Sequence, residues 1–226
     1  RLLARFARRV CLAFPIAGRD GERYLVTGRP VPPPQTARDG ARAALGLAGQ
    51  EPLVLVFGGS LGARSVNEAA IDGLAGGPFR VLHSAGARDY DACRARLGDP
   101  PSPGYDLRAY LDPLADALAA SDLVVARSGG SVFEIAAHGR PAILVPYPHA
   151  AADHQTGNAR WMADAGAAVV IRDDALTAAV LRAEGDRLLG DRDALARMAA
   201  ASAGLARPDA AERIAGEVLA AAGGGA

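Results

Sequence analysis

The 226-residue sequence contains no lysine and only two cysteines. Cys11 and Cys93 stand far apart, so they form neither a disulfide framework nor a metal-binding spacing, and a reducing compartment is expected. Arginine alone supplies the 25 basic residues, which balance 25 acidic ones. This neutral charge argues against nucleic acid as a partner, because nucleic-acid binding usually needs a basic surface.

Long hydrophobic runs and a targeting segment are also missing. No apolar run approaches the roughly 20 residues that a membrane-spanning helix needs. The basic start at residues 1–9 precedes an apolar run that is too short for a signal peptide. The chain begins with arginine rather than methionine, so we expect that an upstream part is missing.

Short apolar segments alternate with helical patterns along most of the chain. Leu53–Phe57 and Leu123–Ala126 are continuous apolar runs, typical of strands buried on both faces. The alternation predicts an α/β fold, a doubly wound parallel-sheet, Rossmann-like domain, over residues 36–207. Further strands are predicted at 79–83, 106–111, 142–145 and 168–171, and helices at 37–45, 63–74, 88–97, 113–120, 131–138, 153–164, 177–189 and 193–206.

Proline is concentrated in the stretch GRPVPPP at residues 28–34. Three successive prolines hold an extended backbone and remove N–H donors, which predicts a linker at residues 29–35. Short strands are predicted before it, at 10–14 and 24–27, and a last helix at 208–221. We therefore expect 1–28 and 208–226 to lie outside the main domain.

A glycine-rich turn follows each of the two buried apolar runs. Such turns present free backbone N–H groups beside a helix N-terminus, an arrangement that suits an anion. Arg127 adds a full positive charge next to the second turn, and Glu134 follows one helical turn later. The candidate residues are Gly58, Gly59, Ser60 and Gly62 in the first turn, and Ser128, Gly129 and Gly130 in the second.

These residues also have ordinary structural explanations, which the sequence leaves open. Ser131 and Glu134 have the spacing of a capping box. The first turn could be a tight strand–helix connection that only glycine tolerates. Arg127 could pair with a surface carboxylate at little energetic consequence.

Two aspartate positions are interpreted as helix starts. Asp112 before Pro113 suits an N-cap followed by proline at the first helical position. Asp191-Arg192-Asp193 superficially matches a DxD metal motif, but Asp193 suits an N-cap. No metal site and no cofactor are therefore expected.

Three segments in order carry a resemblance to a known family. They are VFGGSLGARSVNE at 56–68, ASDLVVARSGGSVFEIAAHGRPAILVPYP at 120–148 and DHQTGNARWMADAGAAVVI at 153–171. Together they resemble the donor-binding half of family-28 glycosyltransferases of the GT-B class, in which two Rossmann-like domains face a cleft. The resemblance implies that 1–28 is a remnant of the N-terminal acceptor domain and that the helix in 208–226 returns toward that domain.

The resemblance also implies a role for each matching residue. Ser60 matches a contact to the donor diphosphate, and Leu111 matches a residue whose backbone pairs with uracil. Glu134 matches the carboxylate that binds the ribose hydroxyls. His154 and Gln155 match a pair that contacts the sugar.

Arg127 matches an arginine beside the donor pocket. The chain departs from the family pattern at two places. Pro32 stands where the linker usually carries an arginine, and the stretch from Arg127 to Glu134 is one residue shorter than the commonest form. Both departures bear on the exact placement of the sugar.

The implied activity is inverting transfer of N-acetylglucosamine from UDP-N-acetylglucosamine to the undecaprenyl-pyrophosphoryl-muramyl-pentapeptide lipid in peptidoglycan synthesis. The lipid-linked acceptor would be reached through the missing N-terminal domain, which is also expected to supply the base, so no catalytic residue is assigned in this chain. The expected location is cytoplasmic, peripheral on the inner face of the plasma membrane. Two alternatives stay open: a separate donor-binding subunit that needs a membrane-anchored partner, and a UDP-sugar 2-epimerase of the same architecture.

Overall fold

The structure is a computed structural model that describes residues 6–35, 37–47, 51–59, 63–99 and 101–223. The chain divides into two compact units, one formed by Arg1–Pro33 with Ala206–Ala226 and the other by Pro34–Leu205. The strands are β1 (Val10–Leu12), β2 (Tyr24–Val26), β3 (Leu53–Phe57), β4 (Arg80–Ser84), β5 (Tyr105–Arg108), β6 (Leu123–Ala126), β7 (Ala142–Leu144) and β8 (Ala168–Val170). The helices are α1 (Arg38–Ala44), α2 (Arg64–Leu74), α3 (Tyr90–Leu97), α4 (Leu114–Ala120), α5 (Val132–Ala137), α6 (His154–Asp164), α7 (Ala178–Gly190), α8 (Arg192–Gly204) and α9 (Ala210–Gly223), with short 3₁₀ turns at Ala151–Asp153 and Asp173–Ala175.

The larger unit is built on one parallel sheet in the order β5-β4-β3-β6-β7-β8. Within this sheet the chain enters at β3 and continues outward through β4 and β5. It then crosses back and places β6 on the other side of β3. Strand order therefore reverses between β3 and β6, which is the switch point of a doubly wound fold. The predicted fold class is confirmed.

Continuous apolar sequence explains why β3 and β6 lie at the centre of this sheet. Every residue of both strands is buried, and both predicted ranges are confirmed. On one face of the sheet, α2 packs closely against α7. A Cβ on Gly73 would lie 2.5 Å from the carbonyl oxygen of Ala178, so this close approach requires glycine.

Most predicted boundaries differ from the observed ones by one to three residues, and three of the differences have a clear physical reason. Strand β5 ends at Arg108, where its pairing with Ser84 of β4 ends, rather than at residue 111. Pro113 has extended backbone (φ −77°, ψ 143°) and helix α4 begins one residue later, so Asp112 is not its N-cap. Helix α8 begins at Arg192, because the side chain of Asp191, and not that of Asp193, accepts a hydrogen bond from the Ala194 N–H at 2.9 Å.

The smaller unit contains β1 and β2, which pair in parallel, and α9. The N–H groups of Thr27 and Gly28 both donate to the Leu12 carbonyl, at 3.1 and 3.2 Å, and extend this pairing toward the linker. In α9, Val218 and Leu219 are 62% and 72% exposed. Within the described ranges, no helix is both long and apolar enough to span a bilayer.

Candidate functional site

The two glycine-rich turns lie side by side at the carboxyl ends of the two central strands. Strands β3 and β6 are parallel neighbours, and Phe57 pairs with Ala126 at their carboxyl ends. The turn that begins at Gly58 and the turn 128–130 therefore leave adjacent strands at the switch point. Ser60 and Gly62 of the first turn lie outside the described residues, so their roles stay predictions.

A small cavity of about 200 Å³ opens between these turns and the segment that follows β5. It brings Leu111 and Glu134 together, although they come from different parts of the chain. Gly59 and Ser131 also line it, which connects the cavity to both turns. The lining is completed by Phe57, Ser84, Tyr110 and Leu114.

The second turn is held from the side of helix α6. The hydroxyl of Ser128 donates to the Gln155 carbonyl at 2.8 Å. The side-chain amide of Asn158 donates to the carbonyls of Ser128 and Gly129, at 2.9 and 3.2 Å. The carbonyls of the turn are thus engaged by α6, while the N–H groups of Gly130 and Ser131 have no hydrogen-bond partner within the described part of the chain.

The capping-box explanation of Ser131 and Glu134 does not describe the start of α5. Ser131 has helical backbone angles (φ −63°, ψ −15°), and its side chain makes no capping hydrogen bond. The hydroxyl half of a capping box is therefore not formed. Glu134 instead lines the small cavity, and its backbone carbonyl lies 2.8 Å from Nδ1 of His138 at the end of the helix.

A large cavity of about 750 Å³ also borders the first turn, through Gly58. Gln155 lines it and is held in one orientation, because its Oε1 accepts the Tyr147 N–H at 3.0 Å. Its Nε2 then lies 3.9 Å from where a Cβ on Gly129 would be. The cavity is also lined by Gly58, Ala63, Arg64, Ser65, Glu68, Arg88, Arg127, Tyr147 and Asp173.

Arg127 is not a free positive charge beside this cavity. Its guanidinium is 2.6 Å from the carboxylate of Asp173, and the side chain of Arg127 is only 10% exposed. It also donates to the carbonyls of Val145 and Pro146, both at 3.2 Å, and to the hydroxyl of Ser65 at 2.7 Å. Ser65 donates in turn to Asp173 at 2.6 Å. Arg127 therefore ties the ends of β6 and β7 to the start of α2, and the surface-pair explanation is wrong because the pair is mostly buried.

The two residues of the predicted sugar pair differ in their placement. Gln155 faces the large cavity, as described above. His154 begins α6 with an exposed ring whose Nδ1 lies 2.8 Å from the Ala151 carbonyl, and it is not among the described residues that line either cavity. Its sugar contact stays a prediction.

A series of hydrogen-bonded polar groups is buried around His83, and the sequence analysis did not predict it. The Tyr105 hydroxyl is 2.8 Å from His83 Nδ1, and His83 Nε2 is 3.0 Å from Asn67 Oδ1. The Asn67 amide donates to the Ala85 carbonyl at 3.0 Å and to Asp89 at 3.3 Å. An asparagine oxygen can only accept, so His83 carries its proton on Nε2 and accepts from Tyr105.

Burial lowers the pKa of His83 from 6.5 to about 4. The unfolded chain then binds more protons than the folded chain between these values, so this stabilisation is complete above pH 6.5 and decreases as the pH falls toward 4. We expect wild type to lose about 2 kcal/mol more than a His83→Gln variant between pH 7 and pH 5. Urea unfolding of both proteins at both pH values measures this difference. An equal loss would mean that His83 titrates normally.

Within the described residues, no group of three or more His, Cys, Asp or Glu side chains is placed to hold a metal ion. The described residues that line the cavities offer arginine, amide, hydroxyl and carboxylate groups.

A parallel sheet with glycine-rich turns at its switch point places the larger unit in the doubly wound, Rossmann-like class of α/β domains. A family model described as the glycosyltransferase family 28 C-terminal domain matches residues 53–214. The chain belongs to this family.

Named relatives match nearly the whole chain. It is 44% identical to a protein of Moorella thermoacetica and 40% identical to one of Halorhodospira halophila, over 95% of its own length in each case. Both are named UDP-N-acetylglucosamine–N-acetylmuramyl-(pentapeptide) pyrophosphoryl-undecaprenol N-acetylglucosamine transferase. The chain spans 62% and 61% of the lengths of these two relatives.

Solved structures agree with this assignment. The crystal structure of Acinetobacter baumannii MurG superposes with a TM-score of 0.73 at 30% identity, over 94% of this chain and 60% of that protein. A putative UDP-N-acetylglucosamine 2-epimerase from Listeria monocytogenes gives a TM-score of 0.62 at 20% identity, over 89% of this chain and 54% of that protein. The second likeness shows a shared fold alone.

Proposed function

We propose that this chain is the donor-binding half of a transferase that moves N-acetylglucosamine from UDP-N-acetylglucosamine to the undecaprenyl-pyrophosphoryl-muramyl-pentapeptide lipid. The observation that carries the proposal is the meeting of Leu111 and Glu134 in one cavity beside both glycine-rich turns. Three features are then adjacent: a backbone segment that can hydrogen-bond a base, a carboxylate for ribose hydroxyls, and N–H groups for a diphosphate. The names of the relatives support this choice of sugar and acceptor.

The small cavity would hold the uridine. Leu111 is 7% exposed, so its side chain contributes an apolar wall while its backbone is left to pair with uracil. Glu134 would accept hydrogen bonds from the two ribose hydroxyls, which are charge-assisted and therefore strong. Glycines at positions 58 and 59 let a diphosphate approach the backbone closely.

The chemical contribution of this half is stabilisation of the leaving group. When the acceptor hydroxyl attacks the anomeric carbon, negative charge develops on the departing diphosphate. The N–H groups of Gly130 and Ser131 have no hydrogen-bond partner within the described residues, so they are available to this charge. Fixed donors stabilise such charge more than mobile water does. Gln155 would position the sugar, and the base would come from the remainder of the enzyme.

The smaller unit would belong to the acceptor side of the enzyme. We propose that residues 1–28 and 208–226 complete the N-terminal domain, with 29–35 as the linker. The exposed apolar residues of α9 support this assignment, because such a surface usually packs against another element. Since the proposed acceptor is lipid-linked, the enzyme would work on the inner face of the plasma membrane.

Selectivity for the base tests the donor assignment. We expect UDP to bind at least about tenfold more tightly than ADP or GDP, a difference of about 1.4 kcal/mol, because the small cavity matches a pyrimidine better than a larger purine. Isothermal titration calorimetry with the three diphosphates measures the difference, and UMP serves as a control for the contribution of the second phosphate. Equal affinities for the three diphosphates would contradict the role of Leu111.

A further inference from the structure

We propose that Arg64 and Arg88 form a diphosphate-binding pair on the wall of the large cavity. This inference rests on the proposed function, which requires two diphosphates: that of the nucleotide donor and that of the lipid-linked acceptor. Both arginines line the large cavity, and they also line a side cavity of about 290 Å³ that continues from it.

Arg64 supplies the unneutralised charge. Its side chain makes no hydrogen bond or ion pair with any other described residue, in contrast to Arg127, whose charge is paired with Asp173. The hydrogen bonds from Arg88 are the main reason that the pKa of the Asp89 carboxyl group is lowered, and Arg64 adds only a weaker effect through its charge. A guanidinium on a cavity wall without a partner is available to an anionic ligand.

Arg88 is fixed in place before any ligand arrives. Its Nε and Nη2 donate to the two oxygens of Asp89 at 2.8 and 2.9 Å, while its side chain is 58% exposed. Asp89 is 8% exposed and is itself held by Asn67, the end of the buried series that starts at Tyr105. These hydrogen bonds orient the Arg88 side chain and leave its Nη1 available to a ligand. Because the side chain is already ordered, little side-chain entropy is lost when a ligand binds.

The start of helix α2 adds a third favourable feature. The helix spans Arg64–Leu74, its N-cap is Ala63 with no capping side chain, and its first turn contains no acidic residue. An uncapped N-terminus that lines a cavity beside two guanidinium groups favours an anion with charge at more than one point. A diphosphate has that form.

One acidic group opposes the proposed ligand. Glu68 lies one helical turn after Arg64 and lines both cavities. Its charge repels an anion, so its removal should strengthen binding, whereas removal of either arginine should weaken it. Such opposite effects on ligand affinity distinguish the loss of a binding contact from a general loss of folding.

The test uses uridine, UDP and inorganic pyrophosphate as probes, measured by calorimetry on the full chain. If the pair holds the donor diphosphate, Arg64→Gln and Arg88→Gln should each lower UDP affinity about fivefold or more and leave uridine affinity unchanged. If the pair holds the acceptor diphosphate, pyrophosphate should bind to chain already saturated with UDP, and each variant should weaken that binding about fivefold or more. In either arm, Glu68→Gln should increase affinity.

Arg94→Gln is the matched control, because Arg94 is exposed on α3 and is not among the described residues that line either cavity. The proposal is overturned if the Arg64 and Arg88 variants change UDP and pyrophosphate affinity no more than this control does. A wild-type chain that does not prefer UDP over ADP would instead contradict the proposed function. Pyrophosphate binding that depends on Arg64 and Arg88 would still support the pair in that case.

Discussion

Replacing Asp173 with alanine should lower the free energy of unfolding by about 3 kcal/mol, because it leaves a buried guanidinium without its counter-ion. Arg127 would keep only neutral acceptors, namely the carbonyls of Val145 and Pro146 and the hydroxyl of Ser65. Removal of one partner of a fully buried ion pair costs about 3–5 kcal/mol, and the 24% exposure of the Asp173 side chain favours the lower end. Urea unfolding at pH 7 measures the change.

The neighbouring residue provides a matched control. Asp174 pairs with Arg172, but those side chains are 65% and 81% exposed, so Asp174→Ala should cost less than about 1 kcal/mol. The double variant Asp173→Ala/Arg127→Met should be more stable than Asp173→Ala alone, because it removes the unpaired charge. If Asp173→Ala and Asp174→Ala destabilise the protein equally, the ion pair does not have the structural role inferred here.

Replacing Glu134 with alanine should weaken UDP binding tenfold or more. Each hydrogen bond between a carboxylate and a ribose hydroxyl contributes about 1.5–3 kcal/mol, and alanine removes both. Circular dichroism should show an intact fold, since the Ser131 half of a capping box is not formed at the start of α5. Calorimetry with UDP on both proteins measures the loss.

A change in the ligand separates ribose binding from a structural role of Glu134. Wild type should bind UDP more tightly than 2′-deoxy-UDP, and Glu134→Ala should bind the two equally. Glu134→Gln, which keeps an acceptor oxygen but no charge, should have intermediate affinity. A lower melting temperature with unchanged UDP affinity would point to a purely structural role.

The sheet could be predicted from sequence because its centre has an unambiguous pattern. Leu53–Phe57 and Leu123–Ala126 are uninterrupted apolar runs of strand length, followed by glycine, and both ranges are confirmed. Residues 106–111 do not form such an uninterrupted apolar run. The end of that strand is decided by its pairing with β4, which no local pattern encodes.

The candidate site was predictable in its location and not in its charges. Glycine after a buried strand indicated both turns, and the resemblance to family-28 enzymes selected Leu111 and Glu134. The partner of Arg127 follows a different strand, β8, so the ion pair with Asp173 depends on the assembled sheet. A polar residue shortly after a parallel strand was the one available signal for Asp173, because such residues gather at the carboxyl edge.

Arg88 and His83 illustrate the same limit. The alternation of strands and helices placed His83 near the end of a strand but carried no information about Tyr105 or Asn67. Their hydrogen bonds join β4, β5 and α2, so they exist only in the packed structure. The orientation of Arg88 follows from that packing and could not be predicted from local sequence.

The reversal of strand order between β3 and β6 also determines when the crevice can form during folding. Strands β3, β4 and β5 follow one another along the chain, so they can pair while the rest is still being synthesised. The crevice needs Leu55 opposite Val124, a contact that closes a long loop and is therefore slow to form. A nucleotide that binds only the closed crevice would hold the two halves of the sheet together, so occupancy of the site and completion of the sheet would reinforce each other.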